Sequence, residues 1–360
     1  MADELDPAER AWLQDMDAFN ERIASRGWHL RDKIVRENLS HIRLHNSTMD
    51  SVDIRFVEFN GASINDSQFT AVYFFQTKFE GARITGAVFT NCRFDSTSFS
   101  GAVFQDCHFV DCEAERLTAR NVTFLRCTFE AFSDDSGVVG PGVFEESRFT
   151  RSALHNTGFH GMTFHSVVFE GSSLDLVIYE ELKGDRLRFE ASTLSQCAFG
   201  QFDFETLAFE RCTIRGISLQ DVHCKELNIQ ACESIEALSI ARSTFENLVT
   251  ADCPMFSEWT LRESRLMNFA VQRSHVAYWE ITSSQISGDS RIAECQIAGL
   301  NLTGSALTET QFTGCDIHLY LVLNETALNG VRLNGITYGD VRFSDAGVSY
   351  LNDSDRFLAP

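Results

Sequence analysis

Large apolar residues recur along this chain at every fifth position. Between residues 84 and 109 they stand at Ile84, Phe89, Phe94, Phe99, Phe104 and Phe109. A small residue stands two places before each of them, at Ala82, Ala87, Cys92, Thr97, Ala102 and Cys107. A helix repeats its apolar positions at three and four residues and a strand at two, so neither produces this interval. The pattern predicts a repeat protein whose units pack on their neighbours.

The five-residue frame begins at Leu39 and extends to about residue 350. After Ile229 it shifts by one residue at a time, which is the size of a β-bulge. The Gly- and Asp-rich stretch 132–142 predicts a surface loop that leaves the coil and returns in register. We therefore divide the chain into an N-terminal helical cap (1–36), a repeat region (37–350) with a loop excursion at 132–142, and a tail (351–360).

The N-terminal segment has a different pattern. An Asp-Pro-x-Glu start at residues 6–9 is typical of a helix N-terminus. Helical spacing then relates four apolar residues, namely Trp12, Met16, Phe19 and Ile23. We expect a short amphipathic helix that covers the open end of the repeat, because an uncovered β edge invites aggregation. A helix that docks on a partner is the alternative.

The repeat has the form small-x-large-x-x, written AVF-TN-CRF-DS-TSF at residues 87–99. It resembles the pentapeptide-repeat family over about residues 39 to 350. The resemblance implies an all-β fold, a right-handed quadrilateral parallel β-helix with five residues per side, twenty per coil and about sixteen coils. Cysteines twenty residues apart, such as Cys92 and Cys112, agree with that coil length. We interpret the cysteines as compact buried packing residues, not as disulfides or ligands.

The charge composition limits which classes of partner the protein can bind. The chain has 51 acidic and 30 basic residues, a formal net charge of −21. This charge would repel phosphates and anionic lipids, so we expect no direct binding of nucleic acid. We expect a protein partner instead, and the charge permits one with a basic surface. No apolar run is long enough to span a membrane, and the start is acidic where a secretory signal is basic, so we expect a cytoplasmic protein.

We find no motif for catalysis or for a cofactor. Walker, GxSxG, HExxH and CxxC patterns are absent from the sequence. His155, His160 and His165 are five residues apart and would face three successive sides of a coil, so we expect no metal site there. A filled interior also leaves no cleft in the coils. The sequence therefore predicts a protein that is not an enzyme and holds no cofactor or metal.

Residues twenty apart would share one column on the surface of such a coil, and two columns are acidic. One holds Glu130, Glu170, Glu190 and Glu210, and the other holds Asp95, Glu115, Asp135 and Asp175. A branch of the family that protects bacterial gyrase from quinolones is thought to mimic DNA, so the resemblance implies a gyrase- or topoisomerase-binding DNA mimic as one function. Arg93, Arg116, Arg148 and Arg188 share these faces. A surface neutralised by ion pairs is the simpler interpretation.

A second candidate surface is aromatic. Tyr73 and Phe75 flank an interior residue at outward positions, and Phe56 lies one coil earlier on the same side. Grouped exposed aromatic side chains indicate a protein contact. Packing against Trp12 or Phe19 of the N-terminal helix explains them equally well, and both interpretations stay open at this point.

These observations favour a non-enzymatic protein-binding scaffold of bacterial origin, a rigid acidic β-helical rod. By analogy of fold, an accessory or cargo-associated role in type VI secretion is one setting, with export by a dedicated secretion system. The alternative is the DNA mimic that binds gyrase or a topoisomerase and protects or inhibits it. The sequence does not predict the oligomeric state.

Overall fold

The structure is a computed structural model that describes residues 14–24, 27–30, 33–342 and 348–349. The chain divides into two compact units, residues 1–178 and 179–360. The described residues form one α-helix, α1 (Met16–Ile23), and 45 strands. They make an all-β parallel solenoid of about 15 turns, close to the sixteen coils expected.

Short strands build the first unit. Strands β1 to β27 have two to four residues each and are, in chain order, His29–Leu30, Ile34–Val35, Arg43–His45, Thr48–Asp50, Asp53–Arg55, Ser63–Asn65, Gln68–Thr70, Tyr73–Phe75, Arg83–Thr85, Val88–Thr90, Arg93–Asp95, Val103–Gln105, His108–Val110, Glu113–Glu115, Thr118–Ala119, Val122–Leu125, Thr128–Glu130, Ser133–Asp135, Val138–Val139, Gly142–Glu145, Arg148–Thr150, Ala153–His155, Gly158–His160, Met162–His165, Val167–Glu170, Ser173–Asp175 and Ile178–Glu180.

Longer strands dominate the second unit. Strands β28 to β45 are Lys183–Glu190, Thr193–Glu210, Thr213–Gln230, Ser234–Ala241, Thr244–Ala251, Phe256–Arg262, Arg265–Gln272, His275–Thr282, Gln285–Ile286, Arg291–Ala293, Gln296–Asn301, Ala306–Thr308, Gln311–Thr313, Asp316–Val322, Ala327–Asn329, Arg332–Asn334, Thr337–Arg342 and Val348–Ser349.

The coil length in the first unit is twenty residues. Phe69, Phe89 and Phe109 are partners in parallel strands, each twenty residues after the last. Their rings stack with centroids 4.8 Å apart, which is the spacing of neighbouring strands. The side chains are buried because the middle residue of each three-residue strand points inward. The predicted frame of interior phenylalanines is therefore confirmed.

The chain turns a corner after each short strand through one residue in the left-handed region. Asn46, Asp66 and Asn91 have φ values of 48°, 49° and 53°. Residues with short polar side chains tolerate this conformation better than bulky ones do. The left-handed conformation required at each corner therefore helps to explain why polar residues recur between the apolar positions.

The second unit uses a coil of twenty-one residues in part of its length. Ile214 pairs with Ile235, and Leu219 pairs with Ile240. The extra residue in this coil corresponds to the first of the one-residue shifts that the sequence predicts after Ile229. Farther on, Trp259 and Trp279 stack with ring centroids 4.8 Å apart inside the unit. The shifts thus leave the interior stacking intact.

The helix α1 caps the first coil, as predicted. The side-chain amide of Asn20 donates to the carbonyl of His41 at 3.2 Å and accepts from the backbone N–H of Arg43 at 2.7 Å. It therefore satisfies the free edge of β3 as a neighbouring strand would. Asp15 is the N-cap of the described helix, accepting from the N–H of Ala18 at 3.1 Å. The predicted start at residues 6–9 and Trp12 lie outside the described residues.

Two of the predicted boundaries are wrong. The coil begins at β1 and β2 and not at residue 37, since these strands pair with β4 and β5. Ile34 is fully buried and extends the frame five residues before Leu39, which explains the earlier start. The stretch 132–142 is not a loop excursion, because β18 pairs with both β14 and β22. The tail, 351–360, lies outside the described residues.

Candidate functional site

Three adjacent strands of the first unit, β5, β8 and β11, form the face that carries the predicted aromatic residues. Their inward residues are Ile54, Phe74 and Phe94. Because side chains alternate along a strand, the residues on either side of these point outward. Tyr73 and Phe75 therefore lie on the surface, each between one residue of β5 and one residue of β11 with which it is paired in register.

One of the three aromatic residues, Phe75, contacts both of the others, and we call the three the aromatic patch: Phe56, Tyr73 and Phe75. The ring of Phe56 meets Phe75 edge-on, with centroids 5.4 Å apart and an interplanar angle of 90°. The centroids of Tyr73 and Phe75 lie 6.0 Å apart. Phe56 is 40% exposed although it is a large apolar side chain. The structure thus brings together all three residues that the sequence singled out.

Three guanidinium groups lie over these rings. Arg36 lies 5.7 Å from the centroid of Phe56, and Arg93 lies 5.7 Å from that of Tyr73. Arg55 is shared, at 5.4 Å from Tyr73 and 5.9 Å from Phe75. Such cation–π contacts favour a fixed arrangement of ring and charge. The aromatic patch is therefore a mixed aromatic and cationic surface, which composition alone does not indicate.

Asp95 joins the aromatic patch to one of the acidic columns. Its Oδ2 accepts from the hydroxyl of Tyr73 at 3.2 Å, and its Oδ1 pairs with Arg116 at 2.6 Å. Burial works against ionisation, but hydrogen bonds from Ser96 and Tyr73 and the charge of Arg116 outweigh it and lower the pKa of Asp95. Burial, together with Asp95, raises the pKa of Tyr73. The tyrosine hydroxyl is thus a donor held in place by a carboxylate.

The helix α1 does not cover the aromatic patch. Phe19 is buried and its ring meets Trp28 edge-on, with centroids 5.3 Å apart. Asn20 binds the edge of β3 instead. The interpretation that Phe19 packs on the patch is therefore wrong, since the helix is used to close the first coil. Trp12, the other residue proposed for that role, lies outside the described residues.

Arginine neutralises most of the predicted acidic columns. In the first unit Arg116 contacts Asp95 and Glu115, and Arg93 lies 3.2 Å from Glu115. Arg151 pairs with Glu130, and Arg148 pairs with Glu170. In the second unit Arg188 lies 3.0 Å from Glu190 and 2.7 Å from Glu210, and Arg211 also pairs with Glu190. Six of the eight carboxylates thus face an arginine.

The other two carboxylates have different partners. Asp175 lies 3.0 Å from a ring nitrogen of His155, and the hydroxyl of Ser136 donates to Asp135 at 3.1 Å. Exposed ion pairs of this kind add little to stability, but they reduce the field that a partner would meet. A binding role for the columns stays a prediction.

Other sites are not evident in the part of the chain that the structure describes. No group of three or more His, Cys, Asp or Glu side chains there is placed to hold a metal ion. All eleven cysteines are free and buried, which confirms that they are packing residues. Among the described residues no helix is long and apolar enough to cross a membrane.

Two features of the aromatic patch were not predicted from the sequence: the arginines that lie over its rings and the backbone conformation of Phe56. Arg36 and Phe56 are twenty residues apart, as are Arg55 and Phe75, so the coil length placed each pair in one column. That signal could have identified the stacked arginines. The φ of Phe56, +56°, has no sequence signal because a corner normally favours a small or polar residue.

Comparisons with known proteins agree with this architecture. A family model described as pentapeptide repeats matches residues 67–109 in eight copies. No curated protein matches the sequence. A trypsin-treated form of QnrB1, a plasmid-mediated fluoroquinolone resistance protein, is 18% identical with a TM-score of 0.31, covering 55% of this chain and 92% of its own.

The comparison with solved structures also found two further proteins. HetL from the cyanobacterium Nostoc sp. strain PCC 7120, a pentapeptide-repeat protein, is 10% identical with a TM-score of 0.19, covering 91% of this chain and 97% of its own. The A-module of a mannuronan C-5 epimerase from Azotobacter vinelandii is 9% identical with a TM-score of 0.32, covering 92% and 95%. The chain thus contains pentapeptide repeats at residues 67–109, and coils paired at the same twenty-residue interval continue on both sides of them.

Proposed function

We propose that this protein is a non-enzymatic scaffold that docks a protein partner on the aromatic patch of its first unit. One observation carries the proposal: among the described residues, α1, which could have covered the patch, is committed to the end of the coil, with Phe19 buried on Trp28. Grouped Tyr, Phe and Arg side chains of this kind are typical of the energetic centre of protein interfaces.

The conformation of Phe56 adds support. It occupies a corner with φ of +56°, where glycine or a short polar residue is the stable choice. A bulky residue there costs roughly 1 kcal/mol in backbone free energy, by the general penalty for left-handed L-residues. Packing on Phe75 offsets part of this cost and leaves the ring 40% exposed. Leu176 has the same φ and exposure, so what sets Phe56 apart is its place beside Phe75 and under Arg36, where a partner would meet several rings at once.

Charge at the aromatic patch differs from that of the chain as a whole. Lys33, Arg36, Arg55 and Arg93 stand there with only two carboxylates paired to them, Asp53 and Glu115, so the patch has a small excess of positive charge within a chain of net charge −21. The acidic surface elsewhere would steer a basic partner toward the protein at low salt. The docking contact itself would then be made by aromatic rings and stacked guanidinium groups.

Affinity capture with matched variants tests the proposal. The triple variant Phe56→Ser, Tyr73→Ser, Phe75→Ser should lose a partner that the wild type retains. The matched control is Leu176→Ser, since Leu176 has the same φ of 56° and the same 40% exposure as Phe56. The control should keep the partner. Equal capture by all three proteins, each with a normal melting transition, would refute docking on this patch.

The DNA mimic is the second candidate, favoured by the net charge of −21 and the two acidic columns. The ion pairs described above weaken it, because a mimic needs uncompensated carboxylates at nearly the spacing of DNA phosphates. Inhibition of gyrase supercoiling by purified protein, lost when Glu170, Glu190 and Glu210 become Gln, would support this function. Replacement of Glu205, Glu226 and Glu246 removes the same charge outside the columns and is the control. Absence of inhibition at micromolar protein rejects it.

The cellular setting proposed for the scaffold is the bacterial cytoplasm, with an accessory or cargo-linked role in type VI secretion. This setting rests on likeness of architecture alone. Dependence of the partner on a secretion component in the capture experiment would support it.

A further inference from the structure

Between residues 112 and 139, interior positions of the first unit that hold phenylalanine elsewhere hold smaller or polar residues. The column that contains Phe74 and Phe94 continues through Ala114 and Asp134 to Leu154, each paired in register with the next. A neighbouring interior position holds Ala119 in place of a phenylalanine. Aromatic rings that fill the coils on either side are therefore missing here, and a carboxyl group takes the place of one of them.

Part of the lost volume is refilled and part is not. Phe132 stands at a position where the frame has a small residue, and its ring lies 5.5 Å from Phe129 and 6.3 Å from Phe109. A cavity of about 30 Å³ remains, lined by Ala119, Asp134 and surrounding phenylalanines. A volume of roughly 10–15 Å³ already admits one water molecule. The cavity thus has room for water, but its exposed lining is apolar, which favours a dry cavity while the coil is packed.

Asp134 is buried but only half satisfied. It is 4% exposed, and its Oδ2 accepts from the hydroxyl of Thr157 at 2.8 Å. Its Oδ1 is buried and accepts no hydrogen bond from the described residues. Gly137 gives the carboxyl its room, since a Cβ there would stand 2.0 Å from Oδ2. An ionised carboxylate in this position lacks the donors that its charge requires.

We propose that the coil around residues 132–139 is a pH-sensitive switch, which stays packed while the Asp134 carboxyl is protonated and opens to water once that carboxyl is ionised. The opening would admit water to the cavity and satisfy the second oxygen. The inference is independent of the docking proposal, because no residue of the aromatic patch takes part in it.

Electrostatics around Asp134 support the switch. Burial raises the pKa of Asp134 to about 6, although hydrogen bonds from Thr157 and from the backbone N–H of Gly137 oppose this, and the charge of Asp135 adds to it. On the strands packed above and below, the titratable groups are Glu113, Glu115 and His155, which flank the inward residues and point outward. No cation among them compensates the buried charge from inside the coil.

The direction of the effect follows from the raised pKa. A carboxyl that binds its proton more tightly in the packed state favours that state fully below about pH 4 and loses the advantage as pH rises through about 6. The difference between 3.8 and about 6 corresponds to roughly a hundredfold change in the equilibrium constant for opening. Neutral and mildly acidic solutions therefore lie on different sides of the transition.

Hydrogen exchange of the full chain between about pH 5 and about pH 7.5 tests the switch, with protection factors corrected for the intrinsic rate. Peptides covering 132–142 should lose protection by about tenfold in the wild type over this interval, because part of the change between 3.8 and about 6 is already complete at pH 5, while peptides covering 84–99 should not. Asp134→Asn, which keeps the shape and cannot ionise, should abolish the pH dependence. Asp135→Asn, at the exposed neighbour, should retain it.

Either of two results overturns the proposal: protection of 132–142 that is independent of pH in the wild type, or the same pH dependence in Asp134→Asn. Should Asp134→Asn fail to fold, Asp134→Leu supplies a second variant that cannot ionise. A ¹³C carboxyl titration of the wild type is a further readout. A midpoint for Asp134 close to that of exposed aspartates would also overturn the switch, because the packed coil would then accept the charge.

Discussion

Two neighbouring stretches of the first unit, residues 84–109 and 112–139, follow one five-residue frame but fill their interiors differently. In the first, Phe89 and Phe109 stack at 4.8 Å and Phe94 is fully buried. In the second, interior positions hold Ala119 and Asp134 beside a cavity. The strands pair in register through both stretches. Backbone pairing and corner residues therefore set the coil, while the interior side chains decide how stable each turn is.

The largest effect should come from emptying the well-filled stretch. Phe94→Ala removes a ring that stacks on Phe74 at 5.0 Å and meets Phe99 edge-on. We expect a loss of about 3–5 kcal/mol in the free energy of unfolding, the usual cost of removing a buried aromatic side chain. Urea denaturation measures it. A loss below about 1 kcal/mol would mean that the stretches do not differ in the way described.

The poorly filled stretch should respond in the opposite sense. Asp134→Leu should raise the free energy of unfolding at about pH 7.5 by about 3 kcal/mol, because the wild type there bears the cost of a pKa held at about 6 instead of 3.8. The gain should shrink as pH falls toward 4, where the wild-type carboxyl is protonated. Urea denaturation at several pH values checks this, and an equal gain at all of them contradicts it.

Filling the cavity without touching Asp134 should give a smaller gain. Ala119→Val is suitable because Ala119 pairs with Val139, so the next coil already accommodates valine at the matching position. We expect about 0.5–1 kcal/mol of added stability. Ala102→Val is the control, since Ala102 is fully buried away from the cavity lining and should lose stability through overpacking. The same sign for both variants would contradict the local difference.

The smallest effect concerns the corners. Phe56→Asn should change the free energy of unfolding by no more than about 0.5 kcal/mol, because relief of left-handed strain offsets the lost contact with Phe75. Leu176→Asn should be similarly mild. Partner capture separates the two, since we expect its loss only for Phe56→Asn. Thermal melting and capture on the same preparations provide the measurements, and a partner retained by Phe56→Asn removes this residue from the proposed contact.

The period of five, the capping helix and the buried cysteines could be predicted from sequence because they depend on residue size and spacing alone. The stretch 132–142 could not, because Gly and Asp suggest a turn by composition even where β18 continues the ladder. At that point Phe132 occupies the small position of the repeat and Asp134 the large one, so the five-residue pattern is not visible in the sequence. The twenty-residue spacing places Arg36 in the same column as Phe56, but the direction of each side chain, and so the distance from guanidinium to ring, came only from the structure.

The amide of Asn20 has a consequence for association between molecules. By giving and taking one hydrogen bond at β3, it occupies the backbone groups that a strand from a second molecule would need in order to join there. Replacing those two bonds with intermolecular ones would require α1 to leave and Phe19 to be exposed to water. One asparagine side chain thus blocks the addition of a foreign strand at the β3 side of the first coil.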